Sequence, residues 1–215
     1  MAPRKSIMAA AAALSLSILA GCGSSTPTYD VANLQPVPFG NTTIKVDSTW
    51  VKHADGETGA YYTDYKDPSK TTDADPVNAQ VNLLTQQWRT EPMTEEEYRA
   101  IWEAAEASMQ STVVDPIVNN FCKVGTGEIG ELTLVNNADW VASFTDCEAA
   151  QQVGAGATKL SGSLEIMMEK DGLLYIYVEI GESAVMSQNT EYFAEVSNSF
   201  DYATIGLEHS LIQSA

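Results

Sequence analysis

The first strand-like pattern in this chain, downstream of residue 42, alternates apolar and polar residues with the period of two that is typical of strands. Residues 43–50 alternate in this way, and Trp50 falls on the inward-facing set. Further strands are predicted at residues 61–65 and 78–88. Between Asp64 and Pro76 the chain is polar and contains four aspartates, so this stretch is expected to be a surface loop.

The period changes to that of a helix at Thr94. Thr94 and Glu97 form a capping box, in which the threonine side chain accepts from the Glu97 amide and the glutamate reaches back. From residue 98 to 113 the apolar side chains follow at helical spacing and make one stripe. Pro116 does not suit a helix interior, so the helix is expected to kink there or to begin a new turn that includes Phe121.

A second group of strands follows Gly125, and a final helix is predicted at residues 190–200. The expected strands cover residues 130–135, 139–147, 158–170 and 173–182. Asn136-Asn137 and Asp171-Gly172 stand between consecutive strands and predict tight turns. The last strand is apolar on both alternating faces, so it should be covered on both sides. Together these elements predict an α+β domain with a mostly antiparallel sheet and helices on both faces.

The first 21 residues have the three regions of an export signal. Arg4 and Lys5 precede an apolar stretch, Ser6 to Ala20, that is too short for a comfortable membrane span. Leu19-Ala20-Gly21-Cys22 resembles the lipobox of bacterial lipoproteins, in which the cysteine receives a diacylglycerol and becomes the first mature residue. The resemblance implies that Cys22 carries fatty acyl chains such as palmitate and anchors the protein on the extracytoplasmic side of the bacterial cell membrane.

Composition sets the predicted domain boundaries. Residues 1–21 are the signal peptide, and residues 22–38, with serines, prolines and little apolar periodicity, are expected to be a lipidated flexible tether. No second stretch of that composition occurs later, so residues 39–215 are expected to form one domain.

Acidic residues dominate the chain. It has 29 Asp and Glu against 11 Lys and Arg, which gives a formal net charge of −18 at pH 7. Nucleic acid binding depends on Lys and Arg, so nucleic acid is excluded as a partner. Anionic lipid head groups would also repel the protein, so membrane attachment must come from acyl chains. The acidity is expected to keep the protein soluble, with recognition of a cationic partner as the alternative.

Cys122 and Cys147 remain once Cys22 carries lipid. An even pair in an exported chain is expected to form a disulfide. Closing this loop would stabilise the folded state by about 3–4 kcal/mol on the chain-entropy estimate. Two buried free thiols are the alternative, and neither interpretation makes these cysteines catalytic.

Three short motifs resemble nucleotide-binding or catalytic signatures, but their context argues against that use. Residues 125–130 spell GxGxxG, yet the expected helix precedes the glycines and the strand follows, the reverse of a dinucleotide site. Residues 154–159 lack the spacing of a P-loop. Residues 181–185 begin like a nucleophile elbow but have Val185 in place of the second glycine. We therefore expect no cofactor and no serine triad.

His53 is the candidate centre of a catalytic or metal site. It stands near Asp55 and Glu57 in a compact polar group, although a turn after a strand has the same composition. If His53 is packed in a cleft with Asp55 or Glu57, a hydrolase is favoured; if it is exposed on a turn, a binding protein is favoured. The only other histidine is His209, and the aspartates of residues 64–76 do not match a calcium loop.

Four aromatic residues form the candidate partner surface: Tyr61, Tyr62, Tyr65 and Trp88. They flank the polar loop, and loops on a rigid scaffold tend to carry binding residues. The alternative is that the loop is only a solvated connection. The other tryptophans are assigned to the core: Trp50, Trp102 and Trp140.

Three segments carry a resemblance to a known family. They are Ile44 to Trp50, the Asp171-Gly172 hairpin before a tyrosine-rich strand, and Phe193 to Phe200. With the order of elements around them, they resemble the PsbP-like α/β/α sandwich family over most of residues 39–205. This family includes lipid-anchored envelope proteins and extrinsic photosystem II subunits, which mostly act as binding or assembly partners. The resemblance implies a non-enzymatic accessory role and transfers no active-site residue.

The sequence therefore predicts a lipid-anchored extracytoplasmic binding or accessory protein without catalytic activity. Its partner is expected to be a protein of the cell envelope. The alternative is a small extracytoplasmic hydrolase, with or without a metal, that uses His53 and nearby carboxylates.

Overall fold

The structure is a computed structural model that describes most residues between 26 and 200. It does not describe residues 1–25, 40–41, 57–58, 70, 72–74, 76, 88–90, 95, 98–99, 101–103, 105, 134–139, 151–158, 169–171 and 201–215. The predicted signal peptide, Cys22, Trp88 and Trp102 therefore lie outside the described residues.

Antiparallel strands form the framework of the described part of the chain. β1 (Leu34–Phe39) and β2 (Thr42–Asp47) pair as a separate two-stranded sheet. The other strands are β3 (Val51–Gly56), β4 (Gly59–Tyr65), β5 (Val77–Gln87), β6 (Glu128–Ile129), β7 (Trp140–Glu148), β8 (Lys159–Met168) and β9 (Leu173–Glu182). They form one seven-stranded sheet in the order β3-β4-β5-β9-β8-β7-β6, and all its pairs are antiparallel. The predicted antiparallel sheet is confirmed.

Helices occupy a smaller share of the described residues. They are a 3₁₀ turn (Val31–Asn33), α1 (Glu106–Met109), a π turn (Gln110–Val114), α2 (Asp115–Phe121), α3 (Ser183–Gln188) and α4 (Thr190–Asn198). The predicted capping box is present, because Glu97 N donates to Thr94 Oγ1 at 3.2 Å and Thr94 N donates to Glu97 Oε2 at 3.0 Å. The last helix is confirmed, whereas α3 was not predicted.

Pro116 explains the irregular middle of the helical segment. A proline has no N–H and its ring crowds the carbonyl one turn earlier, so a regular α-helix cannot pass through it unchanged. The π turn comes directly before α2, and Asp115 N donates to Gln110 O in the wider π pattern. The predicted break near Pro116 is therefore found, with Pro116 in the first turn of α2.

β9 runs through the sheet with both faces covered, as its apolar pattern predicts. Its even-numbered side chains from Leu174 to Ile180 share a core cluster with buried side chains of the π turn and α2. Tyr175 and Tyr177 lie in a second cluster with Phe193 and Val196 of α4 and with side chains of β1 and β2. The second cluster therefore lies on the opposite face of β9.

The strand predicted at residues 43–50 is wrong at its end. β2 stops at Asp47, whose side chain accepts from Thr49 N and from Thr49 Oγ1, both at 2.9 Å. Trp50 N donates to Asp47 O at 3.0 Å, which closes the turn into β3. Trp50 is still buried, so the turn preserves the inward position that the alternation predicted.

The flexible tether was predicted to end at residue 38, but the folded domain begins earlier in the chain. From Pro27 the chain is hydrogen-bonded to the domain, and β1 pairs with β2 from Leu34 to Phe39. Prolines are compatible with β1 because this strand has a partner on one side only, so missing N–H groups break no second ladder. The folded domain therefore begins before residue 39, with Pro27 already in contact with it.

The β6 region is less regular than predicted. Instead of a strand over residues 130–135, the described residues contain β6 and a single bridge between Thr133 and Val141. The Asn136-Asn137 turn lies outside the described residues. Gly172, with φ of 81°, fits the predicted turn between β8 and β9, while Asp171 is outside. In the described part of the chain, no helix is both long and apolar enough to cross a membrane.

Candidate functional site

His53 and Tyr61 face each other across β3 and β4 and form the candidate site. Their rings stack with centroids 4.2 Å apart and an interplanar angle of 6°. Tyr65 Oη and His53 Nε2 share a hydrogen bond at 2.8 Å. His53 and Tyr61 are half-buried, whereas Tyr65 is only 4% exposed. The imidazole is therefore held rigidly against one phenol ring by a hydrogen bond to another.

This geometry matches neither outcome expected for His53. The residue lies within a strand rather than on an exposed turn, and the Asp55 side chain and Glu57 lie outside the described part of the structure. A general base must present its nitrogen to the substrate, but Nε2 already contacts a buried phenol. Among the residues that the structure describes, no three His, Cys, Asp or Glu side chains are grouped as metal ligands.

The predicted partner surface needs correction. Tyr62 and Tyr65 are each 4% exposed and lie in the two different core clusters. They are three positions apart on β4, so they point to opposite faces of a strand that is covered on both sides. Tyr62 Oη also donates to Pro38 O at 2.7 Å. Of the four predicted aromatics, Tyr61 keeps a partly accessible side chain and Trp88 is outside the described residues.

Asp64 is a functional candidate at the border between the predicted strand (residues 61–65) and the predicted loop (residues 64–76). It belongs to β4, and its Oδ2 accepts from Tyr29 Oη at 2.7 Å and from Asn78 Nδ2 at 2.8 Å. Burial raises the pKa of Asp64, and the two hydrogen bonds oppose this shift. Burial and the Asp64 charge raise the pKa of Tyr29 above its usual range, so its phenol stays a donor. Tyr29 is the one aromatic residue of segment 22–38, which is the sequence signal for this contact.

A second missed feature is a carboxyl pair on β8 and β9. Ser163 Oγ donates to Glu179 Oε1 at 2.9 Å, and Tyr177 Oη donates to Glu179 Oε2 at 3.2 Å. Ser197 Oγ donates to Glu165 Oε1, which joins α4 to the sheet. Burial, with a smaller contribution from the Glu165 charge, raises the pKa of Glu179 to about 8. Glu179 therefore binds a proton at pH values where an exposed glutamate is ionised.

Cys122 and Cys147 form the predicted disulfide, with Cα atoms 5.5 Å apart. A bulge in β7 makes this bond possible. The register moves from Phe144 opposite Gly162 to Cys147 opposite Leu160, so β7 contains one extra residue. Asp146 takes a left-handed φ of 53° there, and the insertion turns Cys147 inward.

The glycines of the GxGxxG segment lie in the turn between α2, which has already ended at Phe121, and β6. Gly125 and Gly127 have φ of 78° and 70°, and they follow α2 and precede β6. A β-carbon on Gly127 would lie 2.5 Å from both Cys147 N and Thr145 O, so only glycine fits beside the bulge. The segment packs against β7 rather than forming a phosphate cradle.

The GxSxx segment does lie at a strand-to-helix junction, because β9 ends at Glu182 and α3 begins at Ser183. The Ser183 and Ser161 hydroxyls share a hydrogen bond at 2.8 Å. Ser183 lacks the positive φ of a strained elbow, since Asp146 is the only described non-glycine residue with one. The strand-to-helix junction at Ser183 therefore differs in backbone conformation from a nucleophile elbow.

No known protein family and no curated protein matches this sequence. Sixteen chains of solved structures are similar to this one, and three examples follow. CyanoP, the PsbP of Synechocystis sp. PCC 6803, is 11% identical with a TM-score of 0.40, over 85% of this chain and 98% of CyanoP. A point mutant of protein Mog1 is 9% identical with a TM-score of 0.42, and the match covers 79% of this chain and 95% of Mog1. The Saccharomyces cerevisiae Ran-binding protein Mog1p is 10% identical with a TM-score of 0.43, and the match covers 83% of this chain and 98% of Mog1p. These similarities are too distant to transfer a function.

Proposed function

We propose that this chain is a lipid-anchored extracytoplasmic binding or accessory protein without catalytic activity. The stacked His53–Tyr61 pair carries the proposal. It is half-buried at β3 and β4, and β3 is an edge of the seven-stranded sheet. Aromatic side chains are enriched at protein interfaces because they offer a large amphipathic surface with few rotatable bonds. The pair is a fixed contact surface rather than a mobile acid or base.

The attachment to the membrane is the lipid on Cys22, left at the new N-terminus when residues 1–21 are removed. The order of charged, apolar and small residues before Cys22 supports this part of the proposal. The Cys122–Cys147 bond supports the location, because disulfides persist in oxidising compartments and are rare in the cytoplasm. The partner is a protein of the cell envelope.

We also propose that helical layers cover both faces of the sheet, as in a PsbP-like α/β/α sandwich. Side chains of α2 contribute to one core cluster, and side chains of α4 contribute to the other, which supports this arrangement. In such a sandwich both sheet faces are internal. Contacts with a partner then fall on the edges and ends of the sheet, where His53 and Tyr61 lie.

Affinity capture from the native membrane tests the binding role, using Tyr61→Ala and the matched control Ile129→Ala. Ile129 is 41% exposed and lies on β6, the opposite edge of the same sheet. Both changes shorten a surface side chain, but only Tyr61→Ala should reduce recovery of the envelope partner several-fold. Circular dichroism checks that both variants are folded. Equal recovery with the two folded variants would contradict the proposed surface.

A further inference from the structure

The N-terminal segment (residues 26–30) is fixed to the loop between α3 and α4. Tyr29 N donates to Asn189 Oδ1 at 2.7 Å, and Asn189 Nδ2 donates to Pro27 O at 2.9 Å. Gln188 Nε2 donates to Thr28 Oγ1 at 2.6 Å. Asn189 is 4% exposed, so its two bonds to residues 27 and 29 belong to a packed junction, whereas the Gln188–Thr28 bond is exposed. The position at which the chain enters the domain is therefore defined.

This junction lies at one end of the sheet. Asp64, which accepts from Tyr29, stands opposite Ala79, and Ala79 stands opposite Gly181, just before α3. We call this the anchor end. At the far end Gln87 stands opposite Leu173. With about 3.3 Å per residue, the length of β9 separates the two ends by roughly 30 Å.

Covalent geometry keeps Cys22 close to the anchor end. Cys22 and Thr26 are four residues apart in the sequence. A chain spans at most ~3.6 Å per residue, so their Cα atoms are within about 14 Å of each other whatever the conformation. That reach is about half the length of the sheet, so a lipid on Cys22 brings the anchor end to the bilayer before the far end.

The two stretches of chain that meet at the junction contain no charged side chain. These are residues 23–29 and residues 183–190, although the whole chain has 29 acidic residues. Ala184, Ser187, Gln188 and Thr190 are exposed there. Acidic side chains border these stretches at Asp30, Glu182 and Glu191, and Lys66 pairs with Glu182. The orientation therefore rests on the short connection to Cys22 and not on electrostatics.

We propose that residues 26–29 and 183–190 form a bilayer-facing surface, so that the far end of the sheet points away from the membrane. The inference rests on the proposed lipid anchor at Cys22. It adds an orientation, in which the domain lies against the bilayer. A partner then approaches the stacked pair His53–Tyr61 along the membrane plane.

Energy transfer to dye-labelled lipid head groups tests this orientation in the full, lipidated protein reconstituted in vesicles. A donor dye is placed on Ser187→Cys at the anchor end or on Gln87→Cys at the far end, both exposed positions. With Cys22 acylated and Cys122 bonded to Cys147, the introduced cysteine supplies the reactive thiol. Transfer should be several-fold more efficient from position 187. Equal transfer, or more efficient transfer from position 87, would overturn the orientation.

A spacer provides the second arm. Twenty Gly and Ser residues inserted between Ser25 and Thr26 add a coil of roughly 25 Å, which should bring the two transfer efficiencies close together. If the difference in transfer efficiency between positions 187 and 87 is unchanged by the spacer, the short connection is not its cause.

Vesicle flotation tests the lipid anchor separately from the orientation. Failure of the unlabelled protein to float refutes the lipid anchor and the orientation with it, whereas flotation without a transfer difference refutes the orientation alone.

Discussion

Tyr29 Oη donates a 2.7 Å hydrogen bond to Asp64 Oδ2 across 35 residues of sequence. The Tyr29 ring also packs against Trp50, Tyr192 and Phe193, with centroids 5.7, 4.9 and 5.9 Å away. One aromatic residue thus joins the N-terminal segment both to a buried carboxylate and to the aromatic core. The domain and its predicted anchor are connected through a packed junction.

Tyr29→Phe should destabilise the protein at neutral pH. The substitution keeps the ring but removes one of two donors to Asp64, and leaving a buried charged acceptor under-satisfied costs about 1–3 kcal/mol. The hydrogen bond lowers the pKa of Asp64, so its loss makes protonation easier. The deficit should therefore shrink as the pH falls and Asp64 becomes protonated.

Urea unfolding of the wild type and Tyr29→Phe at several pH values measures this deficit. Thr28→Ala is the matched control, because it removes an exposed hydrogen bond from the same segment and should change stability by less than about 0.5 kcal/mol. If Tyr29→Phe is as stable as Thr28→Ala at neutral pH, the packed junction is not important for stability.

The Cys122–Cys147 bond should be present in protein isolated without added oxidant. Mass spectrometry of a non-reduced digest should find one linked peptide pair. Replacing both cysteines with Ala should lower the free energy of unfolding by about 3–4 kcal/mol on the chain-entropy estimate. Two thiols that alkylate in the native protein would disprove the bond.

Asp146 should tolerate glycine better than valine. Its φ of 53° lies in the left-handed region, which costs a β-branched residue about 1–2 kcal/mol but suits glycine. We expect Asp146→Gly to match the wild type within about 1 kcal/mol and Asp146→Val to be less stable than Asp146→Gly by about 1–2 kcal/mol. Urea unfolding compares them, and equal stability of the two variants would argue against the left-handed bulge.

Glu179 should make the protein less stable as the pH rises. Its pKa is about 8 in the folded protein and near the ordinary 4.5 when unfolded, so the folded state holds the proton more tightly. This stabilisation is complete below pH 4.5 and is lost as the pH rises to about 8. Glu179→Gln cannot ionise and should lose less stability over this range.

Unfolding free energies between pH 5 and 9 test this dependence. The advantage of Glu179→Gln over the wild type should grow with pH by at least about 1 kcal/mol, since one pKa unit corresponds to about 1.4 kcal/mol. Glu195→Gln is the control, because Glu195 is exposed on α4. Parallel pH profiles for wild type and Glu179→Gln would show that Glu179 ionises normally.

Much of the framework could be predicted from periodicity. The apolar patterns of β5, β8 and β9 and the capping box at Thr94 are local signals, and the structure has these features close to the predicted places. Both faces of β9 are buried because its apolar residues are continuous. Local patterns of this kind follow from side-chain direction alone, so the sequence is sufficient for them.

The site could not be predicted in the same way, because it depends on pairing between distant segments. Tyr62 and Tyr65 stand beside a polar loop, which suggested a surface position. They are buried because other elements pack on both faces of β4. The Asp47 turn preserves the alternation of a strand and so conceals its end. The bulge at Asp146 reverses the inward positions of β7, a change that no periodic pattern indicates.

The proposed cleavage and acylation at Cys22 determine the mass of the N-terminal peptide of the protein from its native membrane. We predict that its mass corresponds to a chain that begins at Cys22 with attached diacylglycerol and that the protein partitions into detergent. Cys22→Ser should lose both the added mass and the detergent partitioning. An unmodified Cys22 in the wild type, or a Cys22→Ser variant that still partitions into detergent with an unchanged mass, would show that Cys22 is not the lipid anchor.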